Sequence, residues 1–135
     1  MKAYQSKLNA LSGTDYKELY PVAYGIFKKL KKQTKRKPYI RSAYFNKEKI
    51  FLDYFWQHLH QKNWWDQVRR LRFYECALDL IKNTRSDPFT AQDPNKPKRS
   101  LHRFSGKTNT GDEFIVQIVE DKRTKQKYFI SVFPK

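Results

Sequence analysis

Three runs decide the architecture of this chain: Leu101-His102-Arg103-Phe104-Ser105-Gly106-Lys107, Glu113-Phe114-Ile115-Val116-Gln117-Ile118-Val119-Glu120 and Lys127-Tyr128-Phe129-Ile130-Ser131-Val132-Phe133. Each is rich in aromatic and β-branched residues, as half-buried strands are. Between them stand Thr108-Asn109-Thr110-Gly111-Asp112 and Lys122-Arg123-Thr124-Lys125, both turn sequences. The pattern predicts a three-stranded antiparallel meander. Such a meander needs a helix on one face to be stable. Upstream, Leu52, Phe55, Trp56 and Leu59 recur at i, i+3, i+4 and i+7, and Val68, Leu71, Tyr74, Leu78 and Ile81 form a second apolar face. The class is therefore α+β, with N-terminal helices packed on a C-terminal antiparallel β-meander of three or more strands.

Alternation along the strands sorts their polar residues. With the first turn centred on Thr110-Gly111, Arg103, Ser105 and Lys107 share one face, and His102 and Phe104 the other. With the second turn at Lys122 to Lys125, Ser131 falls opposite Val116 on the Arg103 face. Gln117, Tyr128 and Ile130 then join His102. A one-residue bulge exchanges these assignments.

Asn46 is a candidate cap for the first central helix, and a break is expected near Asn63. Arg69, Arg70 and Arg72 fall beside or opposite the second apolar stripe. Before residue 46 the chain is basic. A helix is expected to start near Tyr20-Pro21, where Pro suits a first helical position, with Val22, Ile26, Phe27 and Leu30 at helical spacing. It runs into Lys28, Lys29, Lys31, Lys32, Lys35, Arg36 and Lys37, seven cations within ten residues. Pro38 ends it, and Tyr39 to Phe45 reads as an extended connector. Residues 1–46 form a basic helical extension in this reading, and 47–135 the principal unit. From Asn83 to Ser100, a polar connection with Pro88, Pro94 and Pro97 carries Lys96, Lys98 and Arg99. Its length makes it a candidate ligand-side loop.

The 135 residues suffice for one compact domain. A net charge of +16 and an aromatic share of 16% together describe a folded core under a cationic surface, with a polyanion as the expected partner. No apolar run approaches the ~18 residues of a membrane span, and no signal-peptide stretch opens the chain, so a cytoplasmic location is expected. The single cysteine, Cys76, excludes an internal disulfide and a cysteine-based zinc site. There is no glycine-rich phosphate loop. His58 and His60, two apart, lie about 200° around a helix and make no metal pair, for which i, i+4 is required. One near the core and one in solvent is the expectation. Trp56 reads as core, whereas Trp64-Trp65 either stack on bases or cover the connection at Asn63.

The lysine run Lys28 to Lys37 suits a phosphate backbone without sequence choice. His102-Arg103-Phe104-Ser105-Gly106-Lys107 packs a proton-transfer group, two cations and a hydroxyl into six residues. Metal-free RNA cleavage asks for such a set on a shallow cationic groove. A base takes the ribose 2′-OH proton, cations hold the phosphate, and an acid protonates the leaving oxygen. Neither a metal nor a cofactor is needed.

The strings Arg70-Leu71-Arg72-Phe73-Tyr74-Glu75-Cys76-Ala77-Leu78-Asp79-Leu80-Ile81, His102 to Thr108, Phe114-Ile115-Val116-Gln117-Ile118 and Phe129-Ile130-Ser131-Val132-Phe133-Pro134 resemble small toxin-like ribonucleases of phages and mobile elements. Those belong to the barnase–EndoU–colicin–RelE-like (BECR) superfamily, and the resemblance runs from about Glu48 to Pro134. It implies two helices followed by an antiparallel sheet, and metal-independent RNA cleavage. On matching positions it implies His102 as acid or base, Arg103 and Lys107 as phosphate holders, and Ser131 as a late polar contact. Gln117 would orient substrate, Tyr128 would transfer a proton, and Arg72 would reach in from the helix. Lys28, Lys29, Lys32, Arg36, Lys37, Lys98 and Arg99 complete the expected RNA-binding set.

The leading expectation is thus a metal-independent endoribonuclease, toxin-like, with RNA as substrate and an acidic antitoxin or immunity protein as partner. The alternatives are a non-catalytic RNA- or DNA-binding module, and an accessory protein whose cations bind an acidic protein.

Overall fold

A computed structural model of the chain describes residues 2–135. It contains β1 (Tyr4–Gln5), α1 (Tyr16–Gln33), β2 (Tyr39–Ser42), β3 (Glu48–Phe51), α2 (Asp53–Leu59), α3 (Trp64–Arg72), α4 (Tyr74–Asn83), β4 (Phe89–Gln92), β5 (Arg99–Lys107), β6 (Glu113–Asp121) and β7 (Lys127–Pro134). The class is α+β. The three expected strands are β5, β6 and β7, with ends moved by two residues at most, and they form an antiparallel meander. That meander is the middle of a larger mixed sheet of seven strands, in the order β1-β5-β6-β7-β3-β2, with β4 also on β5. β1 joins β5 in parallel, and β3 joins β7 in parallel at Lys127 and Tyr128.

Local chemistry explains where each helix starts. Asp15 accepts a hydrogen bond from the Lys17 amide, so α1 begins a turn before Pro21. Pro21 forgoes one intrahelical hydrogen bond there. Leu19, Ala23 and Phe27, at i, i+4 and i+8, are buried in the common core. Asn63 caps α3 through the Asp66 amide. Asn46 caps nothing. It sits with positive φ in the β2–β3 turn, and α2 starts seven residues later. The second apolar stripe is buried as expected, but two helices carry it. The chain breaks at Phe73, which packs on Phe114, and the Leu11 amide takes the freed Arg72 carbonyl.

The boundary expected at residue 46 falls inside the β2–β3 hairpin, and α1 shares its core with α2, α3 and α4. The connector Tyr39 to Phe45 contains β2, and the polar connection after Asn83 contains β4.

The helices and the Tyr44–Phe45 segment cover one sheet face, where Phe104, Phe114, Val116, Ile118, Phe129 and Val132 are buried. Gly106 marks the closest approach. A Cβ there would lie 2.6 Å from the Phe114 ring and 2.8 Å from Leu80. No described helix is long and apolar enough to cross a membrane.

Candidate functional site

The other face of the sheet lies away from the core cluster. The observed register pairs Arg103 with Gln117 and Gln117 with Ser131, so these three stand in one row across β5, β6 and β7. Two single-residue shifts separate this from the expected register. The first turn holds five residues, Thr108 to Asp112, closed by the Thr108 amide donating to the Asp112 carbonyl and the Asp112 amide donating to the Thr108 hydroxyl. That moves Gln117 to the Arg103 face. The second is a bulge at Ile130, between pairs Gln117–Ser131 and Ile118–Phe129. Ser131 keeps its expected face, while Tyr128, opposite Val119, joins it. Lys107 also shares the Arg103 face, one turn of the pleat beyond Ser105.

Beyond Tyr128, β7 loses its strand partner on the β3 side and meets α2 and α3 instead. Helix α2 buries Phe55, Trp56 and Leu59 and, with Gln61 of the turn after it, turns Tyr54, Gln57 and His58 toward a cleft of about 440 Å³. Ile130 of the bulge, and Asp93, Asn95, Lys96 and Arg99 of the loop after β4, line the same cleft. Arg70 of α3 reaches over the β7 edge. Its Nη1 donates to the Ser131 hydroxyl, and its guanidinium lies 5.4 Å from the centre of the Phe133 ring.

Two features of Arg70 stand out electrostatically. It makes no ion pair among the described residues: Asp66 pairs with Arg69 at 3.3 Å and acts on Arg70 only at longer range. Its Nε is buried and has no hydrogen-bond partner among them. Burial lowers its pKa from the arginine value, yet a guanidinium stays cationic at neutral pH. His58 is half-buried in the cleft, within electrostatic range of Arg70. Burial first, then the Lys62 and Arg70 cations, hold the imidazole below the usual histidine range, so it is neutral and able to accept a proton. Ser131 is 4% exposed and fixes the Arg70 fork.

The structure brings Arg103, Gln117, Ser131, Tyr128 and Lys107 onto one face, with Arg99 at the rim of the cleft. It does not bring His102 there. His102 is 8% exposed on the helix-packed face. Its Nε2–H donates to Glu120 at 2.8 Å, its Nδ1 lies 2.9 Å from the Thr90 hydroxyl, and Phe45 covers its ring edge-on. Lys127, buried with it, bonds Glu48 at 2.6 Å and lies 3.9 Å from Glu120. This is a satisfied polar network on the face opposite the cleft side of the sheet, buried except for Glu48. Tyr128 keeps its proton, because burial first, then Tyr54 and Asp121, raise its pKa, and its hydroxyl donates to Gln126.

Arg72 is exposed beside Trp65, Asp112 and Lys135, away from the cleft. Lys98 is exposed behind Arg99. Lys28, Lys29 and Lys32 are exposed along α1, while Arg36 and Lys37 line a groove with Tyr39, Lys49 and Phe51. Trp64 and Trp65 are 54% and 61% exposed.

Sequence reasoning left out His58 and Arg70. The signal for His58 was present: Tyr54, Gln57, His58 and Gln61 form a polar i, i+3, i+4, i+7 stripe opposite the apolar one. Nothing local marks Arg70 apart from Arg69 and Arg72. Among the described residues no group of His, Cys, Asp and Glu converges as a metal site requires. Compared with protein-family models, with curated proteins and with solved structures, the chain gives no significant match.

Proposed function

We propose that this protein is a metal-independent endoribonuclease whose cleft lies between α2, the loop after β4 and the outer sheet face. The observation that carries this reading is Arg70, a half-buried guanidinium in no ion pair, anchored on Ser131 and within electrostatic range of a neutral histidine in the cleft. A half-buried cation without a counter-ion is costly, and an entering phosphate relieves that cost. His58 takes the 2′-OH proton, the 2′-oxygen attacks the adjacent phosphorus, and the bond to the 5′-oxygen breaks. Arg70 and Arg103 hold the phosphoryl oxygens as charge builds, and Gln117, between Arg103 and Ser131, orients the ribose or phosphate. Water in the open cleft protonates the departing 5′-oxygen. The products are a 2′,3′-cyclic phosphate and a 5′-hydroxyl. His102 has a structural part in this scheme.

A toxin-like role in the cytoplasm accords with such an activity. An acidic antitoxin or immunity protein covering the cleft is the partner that a net charge of +16 favours. The test is incubation with RNA in EDTA, wild type beside His58→Ala. Cleavage by the wild type alone, with cyclic phosphate ends, is expected. Equal cleavage by both proteins removes His58 from the mechanism, and RNA that is bound but left intact favours a non-catalytic binding module.

A further inference from the structure

The outer sheet face carries a second feature that the cleavage chemistry does not use. Tyr39 of β2, Phe51 of β3 and Tyr128 of β7 are successive cross-strand partners, so their rings stand side by side on three adjacent strands. Ring centroids are 6.3 Å apart for Tyr39 and Phe51, which meet edge to face at 72°, and 5.8 Å for Phe51 and Tyr128, tilted by 36°. Tyr54 of α2 continues the row, stacked on Tyr128 at 4.3 Å with an interplanar angle of 9°. All four rings are half-buried, none belongs to the core cluster, and Tyr54 itself lines the cleft with His58.

Cations border this row. Lys49 at 4.7 Å and Arg41 at 5.5 Å lie over the Tyr39 ring, mobile long side chains that a base can displace toward its own phosphates, while Lys35, Arg36 and Lys37 line the groove beside Tyr39 and Phe51. The acid on β3, Glu48, is occupied on the opposite face by Lys127. A row of π-faces flanked by positive charge fits unpaired bases on a phosphate backbone, since each base has a face to stack and each phosphate a charge to neutralise. Paired bases already stack on one another and offer no free face to the rings.

We propose that Tyr39, Phe51, Tyr128 and Tyr54 form a stacking subsite for single-stranded RNA, running from the end of the basic α1 segment to the cleft. The direction of the track rests on the cleft being the cleavage site, but binding to it does not. The substrate class is therefore RNA that is unpaired on one side of the cut, with its distal phosphates on Lys35 to Lys37.

A short mixed-sequence 2′-O-methyl oligonucleotide, which has no 2′-OH to react, separates binding from cleavage. Its affinity is measured single-stranded and as a blunt duplex, for wild type, Tyr39→Leu and Phe51→Leu. Leucine keeps an apolar side chain and removes the π-face. Each variant is expected to bind the single strand roughly tenfold more weakly, with the salt dependence unchanged and the duplex affinity unaffected. Unchanged single-strand affinity in both variants, or a wild-type preference for duplex, overturns the subsite. Failure of the nuclease reading alone looks different: no cleavage of unmodified RNA, with ring-dependent single-strand binding intact.

Discussion

At the residue scale, the two histidines flanking the sheet have opposite fates. His102 is enclosed by Glu120, Thr90 and Phe45. His102→Ala leaves buried polar partners unmatched and is expected to cost about 1–3 kcal/mol of stability. Cleavage per folded molecule is expected to stay near wild type. Denaturant melts read beside the EDTA assay check both parts. For His58 the expectation concerns pH. Its pKa is held below 6.5, so the base form persists at mildly acidic pH and activity falls only as pH drops through the lowered value. The acid limb of the rate profile should thus lie below the ordinary histidine position. Arg70→Gln removes one of the cations that depress it, so an NMR titration of His58 in that variant should move upward. An unmoved titration would separate Arg70 from His58. Both effects depend on burial, which a residue's name does not carry. His102 offered the more inviting string in the sequence, but its position on the alternating strand faced the core.

At the element scale, the strands were legible because aromatic and β-branched runs bounded by turn residues have few other readings. The faces were harder. The first turn is held from outside: the Asn109 amide donates to the Leu8 carbonyl, and the Thr110 amide to the Asn9 side chain. Contacts reaching a hundred positions back set a five-residue loop, and no local pattern announces them. The bulge at Ile130 is equally silent, since an extra residue in a strand looks like any other. Helix breaks followed the same rule. The break near Asn63 was visible, and Asn63 proves to cap the helix after it, whereas the break at Phe73 is fixed by Leu11 and Phe114. The close packing of β5 on α4 gives a sharp prediction. Gly106→Ala places a methyl 2.6 Å from Phe114 and 2.8 Å from Leu80, and should destabilise the fold by about 1–3 kcal/mol. Asn63→Ala, which removes only a cap, should cost ~1 kcal/mol. Thermal or denaturant melts of the two variants give both values.

At the scale of the whole molecule, charge and topology act together. The +16 net charge predicted a polyanionic partner, and Lys35, Arg36 and Lys37 meet the aromatic row at Tyr39, its end farthest from the cleft. Replacing those three by alanine should flatten the log–log salt dependence of single-strand binding by about 2, at roughly 0.7 per phosphate contact. An unchanged slope would place the phosphates elsewhere. The sheet order carries a further consequence. Strand β7 lies between β6 and β3, although every other strand precedes it along the chain. A growing polypeptide therefore has no strand between the β2–β3 and β5–β6 pairs until Lys127 to Pro134 emerges to join them. Ser131 travels on that strand, and before it arrives Arg70 has no hydroxyl to rest on. Ribosome-bound chains lacking β7 carry no assembled cleft, so a cell translating this message meets the finished groove only when the sheet closes.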